Sequence, residues 1–311
     1  MIKLRDIGKK ININGPLLPD EPLSLHTSFR TGGPADLLAL PRSLSDLRTL
    51  LDFAREESIP WMVLGGGANV LAADRGVRGL VIGTELLKSF SLHGEIFRAD
   101  AGLDMSVAAW ETGAAGLAGL HSFYAMPGTL GGAVWMNARC YDRSVSEVLT
   151  EVTLLDPLGN LTVRPADPAE FDYKLSPFQK EPWVILQAEF RLLREDSRLL
   201  RRQMEEYRED RYRKGHFAAP SAGSVFKNNR AFGAPSGQII DQAGLKGTAL
   251  GGALVSPDHG NIIFNAGGAS SADIRNLIDL VRQKVLETRG LLLEEEVRYI
   301  GDWQKGGDTW I

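Results

Sequence analysis

Two rhythms of apolar and polar positions run along this chain. "ADLLALP" (35–41) reads as a short strand closed by proline, and "SLSDLRTLLDFAREESI" (43–59) sets Leu44, Leu47, Leu50 and Leu51 on one helical face. Ser43 stands three residues before Asp46, which predicts a capping box with Asp in place of Glu. "WMVLGGG" (61–67) reads as a buried strand running into a glycine loop, "RGLVIGT" (78–84) as another strand, and "DMSVAAWETGAAGLA" (104–118) as a helix. Between 145 and 193 the period shortens to two. A hairpin is expected around Asp156-Pro157-Leu158-Gly159, then an alternating strand in "WVILQAEFRLL". The stretch 195–214 is a highly charged helix with no continuous apolar stripe, expected to lie exposed between units. A second α/β unit covers roughly 215–290. It closes on a helix with Ile274, Leu277, Ile278, Val281 and Val285 on one face and Gly290 as its stop. "EEEVRYIGDW" (294–303) reads as a strand returning to the body.

Composition narrows the class. The 311 residues are 43% hydrophobic, enough for two or three compact units. A net charge of −4 with both signs interspersed offers no field to recruit nucleic acid or an anionic membrane. An anionic ligand would have to be held by local Lys or Arg. The single cysteine, Cys140, excludes a disulfide framework and fits a reducing compartment. "MIKLRDIGKK" lacks an apolar stretch of signal-peptide length, and no apolar run approaches the ~20 residues that span a bilayer. The expectation is a soluble cytoplasmic protein. The five histidines lack metal-ligand spacing, so no metal is expected.

Three glycine clusters carry candidate chemistry. In "LGGGANVL" (64–71), Gly65 and Gly67 follow a strand and Glu85 lies further on, but Val70 occupies the third glycine position of a dinucleotide fingerprint. A phosphate-binding turn and a tight turn without a ligand both remain open. In "AMPGTLGGAVWMNA" (125–138), Pro127-Gly128 makes a turn and Gly131-Gly132 fall where a helix would begin, leaving N–H groups bare for a phosphate. Close packing would also explain them. "FRTGGPAD" (29–36) adds Arg30 beside Gly32 and Gly33.

"PSAGSVFKN" (220–228) places Ser224 three residues before Lys227. That spells the S-x-x-K of penicillin-recognising serine enzymes, in which a helix would put both side chains on one face. Its companions are missing: no S-D-N occurs, and "KGT" (246–248) is not K-T-G. On its residues alone, Ser224 is a turn serine or a proton donor.

"TSFRTGGPA", "LGGGANVL", "MPGTLGGAVWMNA", "YKLSPF", "PSAGSVFKN", "GLKG", "HGNIIFN" and "LEEEVRYIG", in this order, resemble the UDP-N-acetylenolpyruvoylglucosamine reductases, also called UDP-N-acetylmuramate dehydrogenases. These are FAD enzymes of peptidoglycan precursor synthesis, and the likeness runs from about residue 24 to 303. It implies an α+β fold with a two-lobed FAD-binding domain of the vanillyl-alcohol-oxidase (PCMH) type over 1–210, its lobes about 1–75 and 76–210. A smaller α/β substrate-binding domain over 211–303 would follow, with a C-terminal strand and a mobile tail at 304–311. The short spacing from Leu193 to Ser224 suggests the compact subtype.

The resemblance also implies roles. Gly65, Gly66, Gly67, Ala68 and Asn69 would carry the flavin pyrophosphate, while Arg30, Gly32, Gly33, Pro127, Gly128, Gly131 and Gly132 approach the rest of the FAD. NADPH would be co-substrate, a nucleotide sugar the substrate and a monomer the expected state. Hydride addition to an enolpyruvyl ether leaves carbanion character beside a carboxylate, which needs a proton donor and positive charge. Ser224 would be the donor, with Lys174 and Glu296 as companions, and Tyr173, Lys227, Asn228 and Lys246 would hold substrate. Lys174 stands where the family has arginine, Ala68 where serine is common, Arg139-Cys140 where residues are small, and Asn229 where proline is usual. Those departures leave two alternatives: a paralogue that binds flavin or a UDP-sugar without turnover, or an oxidase of the wider superfamily.

Overall fold

The computed structural model describes residues 11–303, and the expected tail at 304–311 lies outside them. The first sheet has the strand order Leu17–Pro22, Pro34–Ala39, Val77–Gly83, Trp61–Leu64. Its first pair is antiparallel and the others parallel, with Val81 between Leu38 and Met62. Helix Leu44–Glu56 covers it and buries Leu47, Leu50, Leu51 and Ala54. Ser43 accepts the Asp46 N–H as expected, but the reciprocal arm of the capping box is absent. The Asp46 carboxylate accepts instead from the N–H groups of Arg42, at 2.8 Å, and Asn14, at 3.1 Å.

The second sheet is antiparallel throughout: Leu161–Pro165, Leu149–Leu155, Val184–Arg191, Ile96–Asp100, Phe90–His93. Its hairpin turns where expected, with Asp156 accepting the N–H groups of Leu158 and Asn160. Val77–Gly83 belongs to the first sheet, so the break between sheets falls between Gly83 and Phe90 rather than at 75/76.

Helix Ser197–Arg213 departs from the expectation of an exposed connector. It packs on helix Met105–Ala114, with Met204 against Gly113, and buries Leu200, Met204 and Arg211. Those positions are four and seven residues apart on one helical face, so the stripe exists but is narrow, and its last member is charged.

The third sheet, Ala249–Leu250, Ala253–Val255 and Ile263–Asn265, is covered by helix Ser271–Arg289. All five apolar residues expected on that helix's inner face are buried, and Gly290 ends it in the left-handed conformation. This unit is sewn to the first. Phe29 and Leu71 are buried in its core, and Asp74 accepts the N–H groups of Ser271 and Ala272 at the helix N-terminus, at 2.8 and 2.9 Å. The returning strand is shorter than expected: Arg298–Ile300 pairs in parallel with Val70–Ala72. Among the described residues, no helix is long and apolar enough to cross a membrane.

Candidate active site

Between the sheets and the C-terminal unit lies a cavity of about 1050 Å³, just above the roughly 300–1,000 Å³ usual for small-molecule sites. The loop Gly65–Asn69 forms one wall. Its N–H groups, from Gly65 to Asn69, meet no acceptor among the described residues. Consecutive unsatisfied donors facing a cavity make an anion cradle. Side chains could not be added to it: a Cβ on Gly67, whose φ is +61°, would lie 2.0 Å from the His26 carbonyl oxygen, and one on Gly66 2.9 Å from the Gly128 Cα. These residues fit a dinucleotide pyrophosphate. The dinucleotide fingerprint fails structurally as well, because the loop runs into strand Val70–Ala72 instead of a helix.

The second glycine loop differs from its expectation. Pro127, Gly128, Gly131 and Gly132 do line the cavity. Yet the Gly131 N–H donates to Ala101 and the Leu130 N–H to Leu103, both at 2.8 Å, so this helix start is already satisfied. Gly131 serves packing, since a Cβ there would lie 2.6 Å from the Ala101 Cβ. Gly132 serves space: a Cβ there would approach only the Thr129 hydroxyl, at 3.4 Å.

Ser224, Lys174 and Glu296 meet in the same cavity. Ser224 is in extended backbone, bridged to Ile262, and its hydroxyl has no partner among the described residues. Extended backbone turns residues three apart to opposite faces, and Lys227 points away to ion-pair with Glu294 at 2.6 Å. The helical Ser–Lys arrangement is therefore absent. The Val225 carbonyl accepts the Glu296 N–H at 2.7 Å, which fixes Glu296 beside the serine. Lys174 arrives on a turn closed by reciprocal hydrogen bonds between Asp172 and Leu175. Its φ of +60° is a strained value for a residue with a side chain. Asn137 and Gln179 hold that turn by donating to the Asp172 and Lys174 carbonyls. Lys174 Nζ lies 2.6 Å from Glu296 Oε1, with the two side chains 13% and 9% exposed.

Several wall residues were not singled out from sequence. Arg298 stands over the Trp135 ring, its Cζ 5.4 Å from the centroid, and donates to Gln179. It follows Glu296 by two, so strand periodicity could have put both on one face. Arg211 donates to the Cys140 Sγ and lies over the Tyr141 ring. Burial pushes the Cys140 thiol up, with Arg211 only partly offsetting it. His216 is pushed down to about 4, by burial first and then by the positive charge of Arg211 and His259.

The remaining expected residues divide. Arg30, Ala68 and Asn228 line the cavity. The Asn69 side-chain amide does not point to a ligand: it donates to the Glu296 carbonyl at 3.0 Å, tying the glycine loop to the acid. Tyr173 is not part of the cavity wall, but its hydroxyl accepts the N–H of Asn228, which is, at 3.3 Å. Four of the expected residues are placed elsewhere. Gly32 and Gly33 lie outside the cavity wall, packed so tightly that a Cβ would lie 2.7 Å from the Ala72 Cβ or 2.0 Å from the Asp74 carbonyl oxygen. Lys227 is turned to Glu294. Lys246 pairs with Asp241 at 3.0 Å, away from the cavity wall.

Residues 35–163 match the model of an FAD binding domain, and residues 215–300 that of the UDP-N-acetylenolpyruvoylglucosamine reductase C-terminal domain. The chain is 39% identical to the UDP-N-acetylenolpyruvoylglucosamine reductase of Borreliella burgdorferi, covering 96% of this chain and 98% of that one. It is 42% identical to the Treponema denticola protein of the same name, over 91% and 93%. The crystal structure of UDP-N-acetylenolpyruvylglucosamine reductase from Thermus caldophilus superposes with a TM-score of 0.77 at 30% identity, covering 93% of this chain and 99% of that one. The expected fold, an FAD-binding domain followed by a smaller second domain, agrees with these matches.

Proposed function

This chain belongs to the UDP-N-acetylenolpyruvoylglucosamine reductase family, and from that premise we propose that it reduces UDP-N-acetylglucosamine enolpyruvate to UDP-N-acetylmuramate with NADPH, in the cytoplasm, as a step toward peptidoglycan. It is an FAD-dependent oxidoreductase. When bound, FAD supplies hydride transfer from the nicotinamide to the vinyl carbon of the substrate.

The chain's own residues supply the rest. The open N–H groups of Gly65 to Asn69 would hold the pyrophosphate, and the space beside Gly132 would admit the body of the cofactor. An ammonium has three donors. Glu296 engages one of those of Lys174, and the others are left for the substrate carboxylate, where charge develops as hydride adds. Ser224 delivers a proton to the carbon bearing that carboxylate. A serine hydroxyl is a weak acid in water, but a strongly basic enolate beside a cation makes the transfer favourable. Glu296 fixes Lys174 and, through the Val225 carbonyl, its own distance from Ser224.

One observation carries the reading: a serine hydroxyl without a partner among the described residues and a lysine–glutamate pair share a cavity with a cradle of open N–H groups. Anaerobic mixing tests it. NADPH should bleach the yellow holoprotein and the enolpyruvyl substrate should restore the colour. Colour that returns only with oxygen would support an oxidase instead.

A further inference from the structure

Arg211 is 8% exposed, yet it forms no ion pair among the described residues. Its neighbour Asp210 is engaged by Lys214, Arg213 and Tyr141. One guanidinium nitrogen, Nη2, donates to the Cys140 Sγ. Among the described residues, Nε is sealed from solvent without any acceptor, whereas Nη1, also without one, is not sealed. The residue lies on the cavity wall, over the Tyr141 ring at 5.6 Å. Arginine keeps its charge at any working pH. Neither the thiol nor the ring balances it, because burial holds Cys140 in its neutral form. A buried charge without a counter-charge is costly unless something else supplies one. Lys174, by contrast, already has Glu296.

We propose that Arg211 is an anion anchor of this cavity, pairing with an oxyanion of the nucleotide-sugar substrate. The inference rests on the reading of the reaction above. Two groups of that substrate have the required chemistry, the diphosphate and the enolpyruvyl carboxylate. A planar fork suits either one better than an ammonium does. If the carboxylate is the partner, Arg211 restores the guanidinium that Lys174 replaces in the family pattern.

The test titrates the holoprotein, as wild type and as Arg211→Gln, with uridine, UDP, UDP-N-acetylglucosamine, the enolpyruvyl substrate and inorganic pyrophosphate, each followed by the perturbation of flavin absorbance. With a diphosphate partner, UDP weakens about 10- to 100-fold in the variant while uridine is unchanged. With a carboxylate partner, UDP and UDP-N-acetylglucosamine bind as before and the enolpyruvyl substrate loses that factor. Affinities within twofold of wild type for every probe overturn the proposal. Pyrophosphate separates the two readings: Arg211-dependent binding without any nucleotide-sugar binding keeps the anchor and sinks the reaction. Normal turnover without Arg211 dependence does the reverse. If Arg211→Gln does not retain flavin, Arg211→Lys is titrated instead. A loss of at least threefold in one of the two arms is then expected, and an unchanged profile overturns the proposal.

Discussion

Lys174, on the turn that follows strand Leu161–Pro165, and Glu296, two residues before strand Arg298–Ile300, lie 2.6 Å apart on the cavity wall. The pair is nearly closed to solvent, so each side chain depends on the other. Lys174→Met leaves a carboxylate without its partner, and a loss of about 1–3 kcal/mol in stability is expected, below the 3–5 kcal/mol of sealed pairs because the cavity admits water. Adding Glu296→Gln should recover part of the melting temperature without recovering turnover. Lys174→Arg keeps the charge and gains a fork, so kcat/KM should equal the wild-type value or rise by up to about tenfold. A tenfold fall would give the lysine a role peculiar to this chain.

Two adjacent glycines should answer alanine differently. At Gly131 the new methyl meets Ala101 at 2.6 Å, and a destabilisation of about 1–3 kcal/mol is expected. At Gly132, inside helix Leu130–Trp135, it meets only Thr129 at 3.4 Å. The flavin-free Gly132→Ala protein should therefore melt at or above the wild-type temperature, since alanine favours the helix by up to about 1 kcal/mol. Its affinity for FAD should nonetheless fall, because the methyl takes cofactor space. Melting curves with and without FAD separate the two effects.

His216 sets a pH dependence. Its folded pKa of about 4 lies below the ordinary 6.5, chiefly through burial. The unfolded chain therefore takes up a proton near pH 6.5 while the folded one does not. Stability is complete above pH 6.5 and is lost as pH falls toward 4, by at most about 3 kcal/mol. His216→Asn should flatten that slope, as read from urea midpoints between pH 7.5 and about 4. A variant curve parallel to wild type would contradict the assignment.

Cys140 should behave as a protonated thiol inside the cavity. Alkylation by iodoacetamide at neutral pH should be at least about tenfold slower than that of a free thiol, because only the thiolate reacts. Arg211→Gln removes the group that offsets burial and should slow it further. Rapid labelling of the native protein would contradict the raised thiol.

Much of the fold was written in periodicity. The leucines of Leu44–Glu56 and the inner face of Ser271–Arg289 follow the rule of one apolar stripe. The helix Ser197–Arg213 was misread because its stripe is narrow and ends on buried Arg211, a charge that a hydrophobic pattern counts as surface. Ser224, Lys174 and Glu296 could be named from motif resemblance, but their meeting depends on contacts between residues far apart in the chain. Gly32, Gly33, Lys227 and Lys246 share the motifs but pack or pair locally. Motif membership does not tell a residue that packs or pairs locally from one that faces the cavity. Asn69 shows a third case, in which a residue expected at the pyrophosphate uses its side chain to tie two walls together.

The most direct measurement follows the two half-reactions of Ser224→Ala separately in an anaerobic stopped flow. Bleaching by NADPH should proceed at the wild-type rate, while recovery of colour by the enolpyruvyl substrate slows by about 10²- to 10⁴-fold. Recovery at the wild-type rate would show that the proton comes from elsewhere.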